Sequence, residues 1–187
     1  MATRAPRSHG LRALPRGARP ALVMLASLAV LAALAAAGPA RAGSAEVRFV
    51  QPETYRDANP QHRGPDSEAQ AAVQAELQRH LERLAQQRLG ADERLAVQVL
   101  DIDLAGEIEP WRRAGGQDLR IVRDITMPRM TLSFTLTRGS DVLASGAQER
   151  VTDLNFLRGF NRYSSSDPLR YEKAMLDQWF DARFARR

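Results

Sequence analysis

Apolar side chains recur at helical spacing after Ser67, where Val73, Leu77, Leu81 and Leu84 are separated by Gln, Glu and Arg. That period predicts a helix with one apolar stripe, opened by a capping box of Ser67 and Gln70 and ended at Gly90. Leu95 to Leu104 reads as a strand with a change of phase. Leu95, Val97 and Val99 share one face and Leu100, Ile102 and Leu104 the other, so a bulge or two-sided cover is expected near residue 100. Met130, Leu132, Phe134 and Leu136 alternate with Thr131, Ser133, Thr135 and Thr137, the pattern of an antiparallel strand with one wet face. Gly139 and Ser140 then turn the chain into a partner strand, Asp141 to Arg150.

Weaker patterns predict short strands over Glu46 to Val50 and Leu119 to Ile125. Gln51 to Asp66, polar and punctuated by proline, reads as a surface loop. A final helix is expected to open with Asp167 as cap and Pro168 at its first position, and to present Leu176, Trp179, Phe180 and Phe184 to the core. Strand, helix, strand, hairpin and helix in that order predict an α+β fold, a two-layer sandwich with a mixed four- to five-stranded sheet and two helices on one face. The first strand and Leu95 to Leu104 should be parallel neighbours through a right-handed crossover.

The N-terminus changes how the rest is read. Five arginines without an acidic residue precede an uncharged run of 17 residues, Ala21 to Ala37. Gly38 and Pro39 break it, and Ala40-Arg41-Ala42 offers small side chains where a signal peptidase reads them. Residues 1–42 are therefore expected to be a signal peptide cleaved after Ala42, with Ala45 as the fallback, leaving 43–187 as a single periplasmic domain without a permanent membrane anchor. Six arginines lie before the cut, so the mature chain carries 21 basic and 22 acidic residues. The precursor's sequence pI near 10.5 is then no argument for nucleic acid. The chain has no cysteine. A mature domain of this size needs no disulfides, and without a Cys after the cut it cannot be lipid-anchored.

Candidate chemistry is densest at Asp101, Asp103, Glu107 and Glu109. Asp101 and Asp103, two apart on a strand, point the same way with Cα atoms roughly 6.5 to 7 Å apart, near enough to share a cation or raise one another's pKa. Against an EF-hand loop, Asp101, Asp103, Gly106, Glu107 and Glu109 fit, but Ala105 and Arg112 stand where ligands are needed, Arg112 at the bidentate position. Tight calcium binding is therefore not expected, and pairing with Arg112, Arg113 or Arg120 is the alternative. His62 and His80 fit no zinc spacing, Ser164 to Ser166 no nucleophile elbow, and Gly115-Gly116 no phosphate loop. No cofactor is expected. Asn155 to Ser166 mixes Phe156, Phe160 and Tyr163 with Arg158 and Arg162, a composition common at interfaces. The same aromatics could instead pin a long connection to the core.

The segments AEVRFVQPE (Ala45 to Glu53), DIDLAGEIEPW (Asp101 to Trp111), RIVRDI (Arg120 to Ile125) and the long stretch from Asp153 to Phe180 resemble a bacterial family of exported proteins, domain of unknown function 3016. The resemblance implies a periplasmic protein of a Gram-negative bacterium and lends no chemistry. The residues support a non-enzymatic binding or accessory protein of the cell envelope, its partner an envelope or periplasmic protein. The expected contacts are Phe160, Arg162 and Tyr163, with Asp101, Asp103, Glu107, Glu109 and Trp111 as a second surface. A periplasmic hydrolase working through a carboxylate pair and a weak divalent-cation binder are the alternatives. Oligomeric state, ligand and physiological process are not legible in the residues.

Overall fold

The computed structural model describes residues 42–57, 67–114 and 117–184. The expected signal segment up to Arg41 lies outside them, as do His62, the Gly115-Gly116 pair and most of the Gln51 to Asp66 loop. No helix among the described residues is long and apolar enough to cross a membrane.

The main sheet has four strands in the order β1-β2-β5-β6. They are β1 (Ser44–Phe49), β2 (Glu93–Asp103), β5 (Arg129–Arg138) and β6 (Asp141–Thr152). β1 runs parallel to β2 from Ser44 opposite Arg94 to Phe49 opposite Val99, and the other pairs are antiparallel. The remaining strands, β3 (Glu107–Ala114) and β4 (Gln117–Ile121), form a separate antiparallel pair. The strand expected over Leu119 to Ile125 therefore begins two residues earlier, stops at Ile121 and leaves the main sheet with four members.

Two helices, α1 (Ser67–Arg88) and α2 (Arg170–Phe184), share one hydrophobic core with a single face of this sheet. α1 contributes Leu77, Leu81 and Leu84, the predicted stripe, with Val73 packed at its margin. α2 contributes Leu176, Trp179, Phe180 and Phe184, whose rings meet edge to face and close on Phe134 at 5.3 to 5.6 Å. That geometry suits the ring quadrupoles. The caps differ in part from expectation. Asp167 Oδ1 accepts the Leu169 N–H at 2.9 Å, as a cap should, and the regular helix starts one turn later, at Arg170. Gln70, however, donates its side-chain amide to the Pro52 carbonyl, tying α1 to the 3-10 turn Pro52–Thr54.

The register of β2 against β5 slips between Val99 and Asp101, so Leu100 is the extra residue of a bulge. Before it Leu95, Val97 and Val99 face the core, and after it Ile102 does so as well. One inserted residue thus returns an out-of-phase apolar series to the same face. The β5–β6 hairpin turns at Gly139, whose φ of +59° lies in the left-handed region that favours glycine in such tight turns.

Candidate functional site

The acidic segment divides at the end of β2. Past the Leu100 bulge, Asp101 and Asp103 both stand half-buried. Asp101 Oδ1 accepts the backbone N–H of Arg56 at 2.9 Å. Asp103 Oδ2 lies 3.4 Å from Arg129 and 3.7 Å from Arg56. Burial first, and then the neighbouring Asp57, push the Asp103 carboxyl above the usual carboxylate range, and Asp101 adds only a small part. The expected mutual perturbation of Asp101 and Asp103 is thus a minor effect beside desolvation.

Glu107 and Glu109 lie on β3. Glu107 is exposed, whereas Glu109 is buried and clasped by Arg112 at 2.9 Å and by Arg123. Of the partners expected for these acids, Arg112 is realised, and Arg120 pairs with Asp57 instead. Among the described residues, no group of three or more His, Asp or Glu is gathered as for a metal ion. Trp111, also on β3, is 78% exposed.

Between this end of the sheet and α1 lies a largely apolar cavity of about 210 Å³, walled by Tyr55, Val73, Ile102, Leu104 and Ile108 with Arg120 at its polar side. Arg120 donates to the Gly106 carbonyl at 2.7 Å and to Asp57 Oδ1 at 2.8 Å, while Asp57 Oδ2 accepts the Leu104 N–H. The Tyr55 hydroxyl donates to the Val99 carbonyl at 2.6 Å, and burial pushes it up to about 12. Glu172, on α2, is fully enclosed. Its Oε1 accepts the Ala105 N–H at 2.7 Å, and its Oε2 has no hydrogen-bond partner. Desolvation raises its pKa, against the opposing pull of the Ala105 amide and Arg120. Arg120 and Asp57 are thus tied to each other and to the backbone at the polar side of this cavity. Tyr55, Asp57 and Glu172 carry no sequence pattern that announces them, apart from a lone aromatic in a polar loop.

The loop after β6 separates its aromatics by role. Phe156 is buried edge-on against Tyr171 at 5.1 Å, and Tyr163 is half-buried, its hydroxyl donating to Asp177 Oδ2 at 2.7 Å. Asp177 also faces His80 Nε2 at 3.1 Å and Arg162 at 2.8 Å. Burial alone would raise the Asp177 carboxyl, but the hydrogen bonds from His80 and Tyr163 outweigh it and the pKa is lowered. Phe160 stands 96% exposed, with Leu154 at 70% and Leu157 beside it in the loop. Of the three residues grouped from sequence, Phe160 is thus free, Tyr163 is a pin, and Arg162 reaches from solvent to the pinned network. The His80–Asp177 pair spans 97 residues, and nothing local in the chain foretells it.

No curated protein and no solved structure matches the chain. A family model matches residues 43–182, which takes in every described element except the last two residues of α2. The chain belongs to the family described as protein of unknown function (DUF3016).

Proposed function

We propose that the protein is exported by cleavage after Ala42 and works as a non-enzymatic binding or accessory protein of the cell envelope, engaging a periplasmic or envelope protein through the loop that carries Phe160. The observation behind this reading is the contrast within one loop. Phe156 and Tyr163 hold it down while Phe160 is 96% exposed and Leu154 and Leu157 of the same loop are exposed as well. Large apolar side chains presented on a fixed scaffold are what interfaces bury at their centres, and losing one such anchor costs about 2 kcal/mol or more of binding. Arg158 and Arg162 flank them with charge that would select an acidic rim on the partner. The exposed Trp111 on β3 supplies a second contact surface.

The test places a photo-crosslinking residue at position 160 in producing cells, with a control at the exposed Gln86 of α1. A discrete crosslinked partner at 160 only, whose capture falls on Phe160→Ala while the thermal melt stays put, supports the reading. Tyr163→Phe should lower the melt, because it removes a charged hydrogen bond worth about 1.5–3 kcal/mol. Equal crosslinking at both positions, or a Phe160→Ala protein that loses stability and keeps its capture, removes the basis for the proposal.

A further inference from the structure

On the inner side of the same loop, facing α1, lies a second cavity of about 350 Å³, lined by His80, Arg83, Leu84 and Gln87 of α1 and by Arg162 and Tyr163. His80 forms its floor and is 2% exposed. Nε2 lies 3.1 Å from the Asp177 carboxylate, and Nδ1 lies 3.2 Å from the Arg83 guanidinium. Arg83 can only donate, so this contact assigns the Nδ1 lone pair to Arg83.

The charge around this cavity does not balance. Asp177 is buried below it and is already satisfied by three donors, from His80, Tyr163 and Arg162. Its negative charge cancels that of Arg162. Among the described residues, Arg83 has no carboxylate partner. Of the α1 arginines near it, Arg79 pairs with Glu76 and Arg88 with Asp181, whereas the exposed Arg83 meets the imidazole rather than a carboxylate among the described residues. A uniformly solvated arginine would need no explanation. This one is turned over a concave, partly polar wall, with a second guanidinium opposite and the Gln87 side chain one turn further along α1.

We propose that this cavity binds a compact oxyanion of the phosphate type, held between the guanidinium groups of Arg83 and Arg162 and above the His80 ring. Two planar forks suit tetrahedral oxyanions, and Arg162 is aimed in advance by its bonds to Tyr163 and Asp177. The excess of one positive charge favours a single anion, and the cavity is at the small end of ligand sites. A binding anion draws Arg83 toward itself and so perturbs its contact with His80 Nδ1. This site shares Arg162 with the Phe160 loop but needs no partner bound there.

The ring nitrogens give a direct readout, since the chain has only three histidines. Inorganic phosphate is titrated into the purified protein at neutral pH and constant ionic strength, and the His80 ¹⁵N resonances are followed. A saturable shift at Nδ1, with a midpoint of about 1–10 mM, is expected. Arg83→Gln should weaken binding at least about tenfold with the melt unchanged, and Arg83→Lys, which keeps the charge without the fork, should fall between. Phosphatidylglycerol vesicles added to the phosphate-loaded protein separate the two sources of this chemistry. Displacement of phosphate assigns the site to a lipid headgroup, and no displacement assigns it to a free oxyanion. No saturable shift up to about 50 mM phosphate, or the same midpoint in the Arg83→Gln protein, overturns the proposal.

Discussion

Two carboxylates on facing helices give the protein opposite responses to pH. Glu76, on α1, accepts from Lys173 and Arg79 at 2.7 and 2.6 Å, and these bonds hold it down to about 2. A lowered pKa in the fold means that the stabilisation is complete above the unfolded value, near 4.5, and is lost as pH falls through about 2. Glu172 is the reverse case. Its buried carboxyl is raised above 4.5, so its stabilising effect is complete below 4.5 and fades as pH rises through the raised value. Denaturant unfolding of Glu76→Gln should therefore show the deficit against the parent protein shrinking between pH 4.5 and 2. Glu172→Gln, which keeps an acceptor for the Ala105 N–H, should gain on the parent as pH climbs from 4.5 toward neutrality. A deficit for Glu76→Gln that does not change with pH, or a Glu172→Gln protein that loses ground toward neutrality, would contradict these assignments.

Among the elements, regular period made some legible and long-range pairing hid the rest. α1, β5, the Gly139 turn and the aromatic stripe of α2 each carry a local pattern that the fold keeps, and the phase change at Leu100 is a bulge. β3 was hidden because EIEPWRRA has charges, a proline and no alternation, features that argue against a strand. It pairs with β4 alone, where it needs no buried face of the usual kind. The site was hidden in the same way. The sequence grouped Asp101, Asp103, Glu107 and Glu109 by proximity in the chain, whereas the fold pairs Asp103 with Arg56 and Arg129 and, separately, Glu109 with Arg112 and Arg123. The join between β2 and β3 is Gly106, with φ of +85° and room for no Cβ, which would stand 2.8 Å from the Ile121 carbonyl oxygen. Gly106→Ala should cost about 2 kcal/mol or more in denaturant unfolding. Gly106→Asn, which tolerates the backbone angle better, should cost nearly as much, because both variants carry the clashing Cβ. An Asn variant close to the parent would show that the angle alone mattered.

At the scale of the whole molecule, the described residues fall within one compact unit, Arg41–Arg187. A chain of 43–187 should unfold cooperatively without the first 42 residues. A chain of 46–187 loses the Ser44 and Ala45 positions of the β1–β2 ladder and should be weaker by about 1–3 kcal/mol, read from the shift of the denaturant midpoint. Equal midpoints would mean that this end of β1 contributes nothing. If the chain is exported as proposed, N-terminal sequencing of its mature form should begin at Gly43 rather than Glu46. Gly43 is itself buried, and a Cβ there would lie 2.4 Å from that of Leu89 at the end of α1. A peptidase must hold the residues on both sides of its target bond in the open, so a cut after Ala42 is possible only before Gly43 has settled against α1. Under the proposed export, maturation would be a race between the peptidase and the docking of β1, in which a delayed cut leaves a folded precursor that the enzyme can no longer process.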